Sequence, residues 1–322
     1  MPTIASRPVP SGRRAVTAAR RAGALAPPWS LFAGSAVFHY LGPAFAVLLF
    51  SRVDVLGVAW LRIASAAAVF ALWRRPWRAW GRAPADERAT IVAWGVVLAV
   101  MNVCFYLAID QVPLGTVAAI EFVGPVLLAV AGMRSARNLV ALLLAVAGVA
   151  ALVDVRLAGA PAGFAFAAAN GALFAVYVVL GHRISRQRVL GGIDGLAAAM
   201  VVATLVVTPL GGLQAARVAL DPVALLAGAG VGLCSSVIPY VFDQLAMRRI
   251  SRAAYGLLVS LLPATATVIG IVVLAQLPTA VEVGGVALVI AGVAIHRDVA
   301  AGTPADGRPG PHGRAVSSPA DG

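Results

Sequence analysis

Residues Met101–Pro125 read MNVCFYLAIDQVPLGTVAAIEFVGP. Two apolar runs meet there at a short polar turn, Asp110–Gly115, and the second run carries a carboxylate, Glu121, four residues before Pro125. The whole chain decides what that carboxylate means. Of 322 residues, 61% are apolar and 12% charged, whereas ordinary soluble domains are about 25% charged. Glu121 therefore reads as a carboxylate inside a membrane span. Such a group is costly to bury and is a functional-site candidate by default.

Working outward, ten apolar segments are long enough, or nearly so, to cross a hydrocarbon core that takes ~20 helical residues. They lie near 30–50, 55–73, 90–109, 116–132, 139–155, 163–181, 190–209, 223–246, 254–274 and 283–295. Helices are the expected spanning form, because lipid leaves no partner for an unpaired backbone group and the alternation of a barrel strand is absent. Residues 1–29 form a basic tail rich in Arg, Ala, Ser and Pro, and 297–322 a tail rich in Gly, Pro, Ser and Asp; both are expected to be disordered. Arg13-Arg14 and Arg20-Arg21 invite comparison with a twin-arginine signal, but Pro27-Pro28 and a full-length span follow in place of a short apolar region and cleavage site.

The net charge of +12 comes entirely from Arg, with no Lys in the chain. The arginines fall mostly between the apolar runs, which is a topology signal and not a nucleic-acid patch. With the N-terminus cytoplasmic, the cytoplasmic loops hold Arg74, Arg75, Arg78, Arg82 and Arg88, then Arg134 and Arg137, then Arg183, Arg186 and Arg188, then Arg248, Arg249 and Arg252. The external loops hold only Arg52, Arg156 and Arg217, beside Asp54, Asp110, Asp154 and Asp221. This asymmetry places both termini in the cytoplasm. Cys104 and Cys234 both lie in apolar runs and read as small core residues. There is no Walker-type loop, zinc spacing or nucleophile elbow, so neither a metal nor another cofactor nor an enzymatic activity is expected.

Ala108–Pro125, AIDQVPLGTVAAIEFVGP, lies over Ala246–Pro263, AMRRISRAAYGLLVSLLP, without a gap. Each has a polar turn, a run of small and apolar residues, and a proline in the following span. The first turn is external and free of Arg, and its counterpart at Arg248-Arg249 is cytoplasmic and basic. Inversion of the second copy accounts for both. The expected fold is thus an all-α membrane protein of ten transmembrane helices in two inverted five-helix repeats, 30–155 and 156–296.

At these residues the sequence resembles the EamA family of the drug/metabolite transporter superfamily, in its threonine/homoserine exporter-like branch. The likeness is strongest over Asn102–Pro125, with further patches at Ser236–Tyr240 and Gly256–Pro263. It covers about 30–295. The resemblance implies export of small metabolites, amino acids foremost, across the bacterial inner (plasma) membrane, in antiport with protons. An uncoupled facilitator or importer of other metabolites or drugs is the alternative. Two positions depart from the family pattern. Leu262 precedes Pro263 where the family has Glu, and Ala275-Gln276 stands for a Gly-Glu pair. Glu121 is left as the only acidic residue well inside an expected span.

Glu121 lies about five residues into its span and Arg62 about seven into the second, both from the external face, roughly 8 and 10 Å deep. Two readings stand: Arg62 holds a substrate carboxylate while Glu121 takes an ammonium group or a proton, or the two form a structural ion pair. His39 and Tyr40 sit near the middle of the first span, where a His could carry a proton at neutral pH or be hydrogen-bonded to a neighbouring helix and silent. Asn102 in the third span, Asn170 and Tyr177 in the sixth and Tyr240 in the eighth are candidates for lining a cavity, with interhelical hydrogen bonding as the alternative for each. Pro125, Pro239 and Pro263 are candidate kinks. Gly228, Gly230 and Gly232 read as tight packing within the fold, with a homodimer seam as the alternative. Trp73, Trp77 and Trp80 fit an interfacial anchor. The partners implied are a small-molecule substrate and the bilayer, not nucleic acid. A cysteine placed at Asp110 is predicted to react with a membrane-impermeant maleimide in intact cells; reaction only after the membrane is opened overturns this orientation.

Overall fold

The computed structural model describes residues 28–124, 136–156, 160–185, 187, 189–190, 192–218, 220–239, 242 and 262–295. The terminal tails, Pro125, Tyr240 and the Arg248-Arg249 turn lie outside the described residues. Among the described residues there are helices and no strands. The long helices are α1 Pro28–Leu49, α2 Val55–Arg74, α3 Ala85–Ile109, α4 Leu114–Glu121 and α5 Ala136–Arg156. They continue with α6 Pro161–Ser185, α7 Gly192–Arg217, α8 Pro222–Gly232, α9 Leu262–Leu274 and α10 Ala280–Ile295. A single turn, Trp77–Trp80, sits between α2 and α3. Helices α2, α3, α6 and α7 are each long and apolar enough to cross a membrane, and α1, α5, α8, α9 and α10 include shorter apolar helical stretches.

Local chemistry sets the ends. Asp54 accepts from the Leu56 amide (3.0 Å) to start α2, which stops where Arg75 turns left-handed at φ 50°. Asp221 caps the Val223 and Ala224 amides with Pro222 at the first helical position of α8. Thr279 and Glu282 form a reciprocal capping box at α10: the Thr279 amide donates to Glu282 Oε2 (2.7 Å) and the Glu282 amide to Thr279 Oγ1 (3.2 Å).

Many large apolar side chains point outward, among them Leu213, Leu226 and Val272. Lipid is as apolar as these side chains, so helices in it associate through close packing of small residues. That is how the bundle is joined. Helix α5 packs on α10, α2 on α7 and α3 on α6. In the first pair a Cβ at Gly148 would come within 2.6 Å of the Gly285 carbonyl, and one at Gly292 within 2.6 Å of the Ala141 carbonyl. Three further contacts recur when five is added to the helix number: α2 with α8 and α7 with α3, α1 with α8 and α6 with α3, α1 with α9 and α6 with α4.

Four details differ from the sequence expectations. Helix α4 begins at Leu114 and ends at Glu121, so Glu121 is seven residue steps from its start and roughly 10 Å along the helix, level with Arg62 by the same count from Val55. Helix α10 starts at Ala280 instead of 283, because the capping box extends it. That puts Glu282 in the first helical turn and buries it (2% exposed), and Glu87 in the first turn of α3 is buried as well. Glu121 is therefore not the only buried acidic side chain. Finally, α8 does not run on regularly: Leu233–Val237 form a π turn two residues before Pro239, whose ring cannot sit against the carbonyl four residues back in an α-helix.

Gly228 and Gly232 do pack inside the fold. A Cβ at Gly228 would press on the Leu61 side chain of α2, and one at Gly232 would collide with Ser65 Oγ and the Arg62 carbonyl, whereas Gly230 has nothing within 4 Å. Gly232→Val is predicted to destabilise the bundle by about 1–3 kcal/mol through overpacking. Gly230→Val should leave the detergent melting temperature nearly unchanged, and equal effects at the two sites would contradict this packing.

Candidate functional site

The site is built from two charges, each lodged by a close helix approach. Gly232 of α8 seats against the backbone of Arg62. Gly171 of α6 seats against α4, where a Cβ would lie 3.0 Å from the Ile120 carbonyl and 3.3 Å from Glu121 Cα. At 232 only glycine lets the backbones approach so closely, and at 171 a larger residue would push the neighbouring helix back by a few tenths of an ångström.

Arg62 is held by neutral groups. Its Nη1 donates to Asn102 Oδ1 (2.5 Å), and the Asn102 Nδ2 donates in turn to the Leu98 carbonyl (2.8 Å). The guanidinium carbon lies 5.5 Å from the centre of the Tyr106 ring, a cation–π contact. Arg62 Nε is buried and makes no hydrogen bond. With Nη1 taken, the Nε hydrogen remains for a ligand, and a carboxylate is the acceptor that a guanidinium N–H binds most strongly.

Glu121 is buried, at 8% exposure. The Asn170 amide lies beside its carboxylate and Arg62 is within electrostatic reach. Tyr40, from α1, is also close enough to feel the Glu121 charge. The ion pairs among the described residues are Arg52–Asp221 at 4.0 Å and Arg74–Asp194 at 2.7 Å; Arg62 and Glu121 do not form one. The reading of a direct structural pair is thereby not what the geometry contains.

Of the residues singled out from sequence, Arg62, Asn102, Glu121, Asn170, Tyr40 and His39 converge here, the His39 ring standing edge-on to Tyr40 at 5.1 Å. Tyr177 belongs to an aromatic stack with Trp94 (5.3 Å) and Phe174 (6.2 Å), and its carbonyl accepts from Trp94 Nε1. Pro239 follows the π turn and its carbonyl accepts from Ser35 Oγ of α1; Pro263 sits in the first turn of the described α9. Tyr240 and Pro125 lie outside the described residues.

Sequence reasoning missed Tyr106, Gly171 and Glu282. Tyr106 is four residues after Asn102 and so on the same helical face, a signal that was available. The Thr-x-x-Glu spacing at 279–282 likewise announces a capping box. The site of Gln276 explains one departure from the family pattern. Its Oε1 accepts from the Leu114 amide (3.1 Å), capping α4, and an amide oxygen does this without a charge. Gln276, Glu282, Thr116 and Thr267 line a separate crevice of about 100 Å³ at the Asp110 end.

Residues 161–296 match the EamA-like transporter family. The threonine/homoserine exporter RhtA of Escherichia coli (strain K12) is 32% identical over 254 residues, 78% of this chain and 84% of that protein. The chain belongs to the EamA-like transporter family. The corresponding RhtA of Salmonella typhimurium (strain LT2) is 31% identical over 257 residues, with the same two coverages. A solved crystal structure, 18% identical, superposes with a TM-score of 0.56 over 83% of this chain and 95% of its own, which extends the shared fold to nearly the whole of that structure. This EamA-like chain is thus a multi-pass membrane transporter and not an enzyme.

Asn102→Leu removes the acceptor that holds Arg62 in an apolar surround. The expected cost is about 1.5–3 kcal/mol, the range for a hydrogen bond to a charged group, read as a lower melting temperature. Asn102→Gln, which keeps an amide, should recover part of it. A variant as stable as the parent would mean that Asn102 does not carry Arg62.

Proposed function

We propose that this transporter exports small amino acids, with threonine and homoserine as the leading substrates, across the bacterial inner (plasma) membrane in exchange for protons. The observation that carries the reading is a pair of opposite charges, half-buried Arg62 and buried Glu121, on different helices and without an ion pair between them. A zwitterionic amino acid offers the complement of both: its carboxylate fits the unpaired Nε–H of Arg62, and its ammonium group fits Glu121. The identity to exporters named for threonine and homoserine supports the substrate class.

Coupling follows from Glu121 having two claimants. When a proton occupies the carboxylate, the ammonium group loses its counter-charge and affinity falls. A proton arriving from outside therefore helps to expel the substrate, and release of that proton inside readies the carboxylate for the next one. Competition at one carboxylate is the smallest mechanism that does this. His39, Tyr40 and Tyr240 complete the wall beside it, with Pro125, Pro239 and Pro263 assigned to the helices that would move. For the scaffold we propose two inverted halves, 30–155 and 156–296, with both termini cytoplasmic; the contacts that recur at an interval of five helices and the distribution of Arg support this.

The experiment is threonine efflux from proteoliposomes with and without an inward proton gradient. Gradient-driven efflux by the parent should fall roughly 30-fold or more in Glu121→Gln, as expected from about 2 kcal/mol for loss of one partner of a buried charge pair. Unchanged gradient-driven efflux in that variant sinks the role given to Glu121.

A further inference from the structure

The two asparagines of the site behave differently. Asn102 uses both ends of its amide, Oδ1 for Arg62 and Nδ2 for the Leu98 carbonyl. Asn170 is 1% exposed, and neither its Oδ1 nor its Nδ2 completes a hydrogen bond of good geometry. The Tyr40 hydroxyl is in the same condition: fully buried and without a hydrogen-bond partner. Buried polar atoms are nearly always partnered, and packing alone does not retain groups that are not. Asn170 lies against the Glu121 carboxylate, and Tyr40 is close enough to feel its charge. Asn170 comes from α6 and Tyr40 from α1, so two helices far apart in sequence bring polar atoms with unused hydrogen-bonding capacity to the surroundings of Glu121.

We propose that Asn170 and Tyr40 form a subsite that reads a side-chain hydroxyl on the transported amino acid. The proposal rests on the zwitterion reading, which occupies Arg62 and Glu121 with the main-chain groups and leaves the side chain to be recognised. A hydroxyl both donates and accepts, which suits an amide and a phenol that can each do either. The alternatives fit worse. An acidic side chain would meet the Glu121 carboxylate, a basic one would add a cation to a site already holding Arg62, and an apolar one would leave all three idle atoms unpaired. A site that bonds a hydroxyl rejects the analogue lacking it far more strongly than an apolar pocket rejects a missing methylene.

Threonine and valine are near-isosteres that differ by a hydroxyl for a methyl, so they test this directly. Full-length protein in liposomes, loaded with both at equal concentration, is expected to release threonine over valine by roughly tenfold or more. Asn170→Leu and Tyr40→Phe should each reduce that ratio by roughly fivefold, since both remove the idle polar atoms at little change of shape. Leu at 170 also takes away the amide beside the Glu121 carboxylate, so melting temperatures are read alongside the ratio. Tyr40→Phe, which removes a single oxygen, decides the matter if the Asn170 variant melts lower. A parent that does not discriminate, or a ratio unmoved in both variants, overturns the subsite. Glu121→Gln in the same vesicles separates the layers: if it abolishes gradient-driven efflux while the ratio stays unmoved in the other two, only the subsite fails. If it changes nothing, the zwitterion reading beneath fails too.

Discussion

Two opposite charges, one buried and one half-buried, lie in this bundle without being allowed to cancel. Direct pairing would be the simplest way to lower the cost of taking them out of water. Instead Arg62 leans on the Asn102 amide and the Tyr106 ring, and Glu121 lies beside Asn170 and Tyr40. Neutral dipoles offset part of the desolvation while leaving the charges available. An ion pair would have been a finished contact. Two charges supported by dipoles remain a site in need of an occupant that is itself doubly charged and overall neutral.

Holding those charges steady falls to glycine. In lipid there is no hydrophobic force between helices, and positional accuracy comes from backbones brought close enough to interlock. Gly232 and Gly171 do this at Arg62 and at Glu121, one on each side of the site, and Gly148 with Gly285 does it where α5 meets α10. The contacts that fix the chemistry and those that fix the fold are therefore of one kind. A larger side chain at 171 or 232 would move a charge as well as weaken a seam.

Much of this was written in single-residue signals. The ten spans, the depth shared by Arg62 and Glu121, and the packing role of Gly228 and Gly232 all follow from spacing and residue type. Other features depend on which helices meet, which one chain without its relatives does not reveal. Asn102 is 40 residues from Arg62, and nothing local says that its oxygen faces a guanidinium. Gly171 looks like any other small residue in an alanine-rich span until α4 is laid against it. Glu282 is a different kind of miss. Its capping box was legible, but hydropathy placed the start of the span after it, so a buried carboxylate was left in a loop. Tyr177 shows the reverse, since an aromatic with a polar tip in mid-span was grouped with the cavity although its ring stacks between Trp94 and Phe174.

The π turn in α8 carries one residue more than a regular helix needs to cover the same rise. Up to Gly232 the helix sets Gly228 and Gly232 against α2, and within the wide turn Ser235 meets Gly42 of α1. The wide turn makes Leu233–Val237 a place where the length of the gene can change. Losing one codon there would convert the wide turn into an ordinary one, while the same loss earlier in α8 would rotate everything beyond it by roughly 100° and strip the helix of its partners. Among descendants of this sequence, single-residue deletions in α8 should therefore survive at the wide turn and be purged on the glycine side of it.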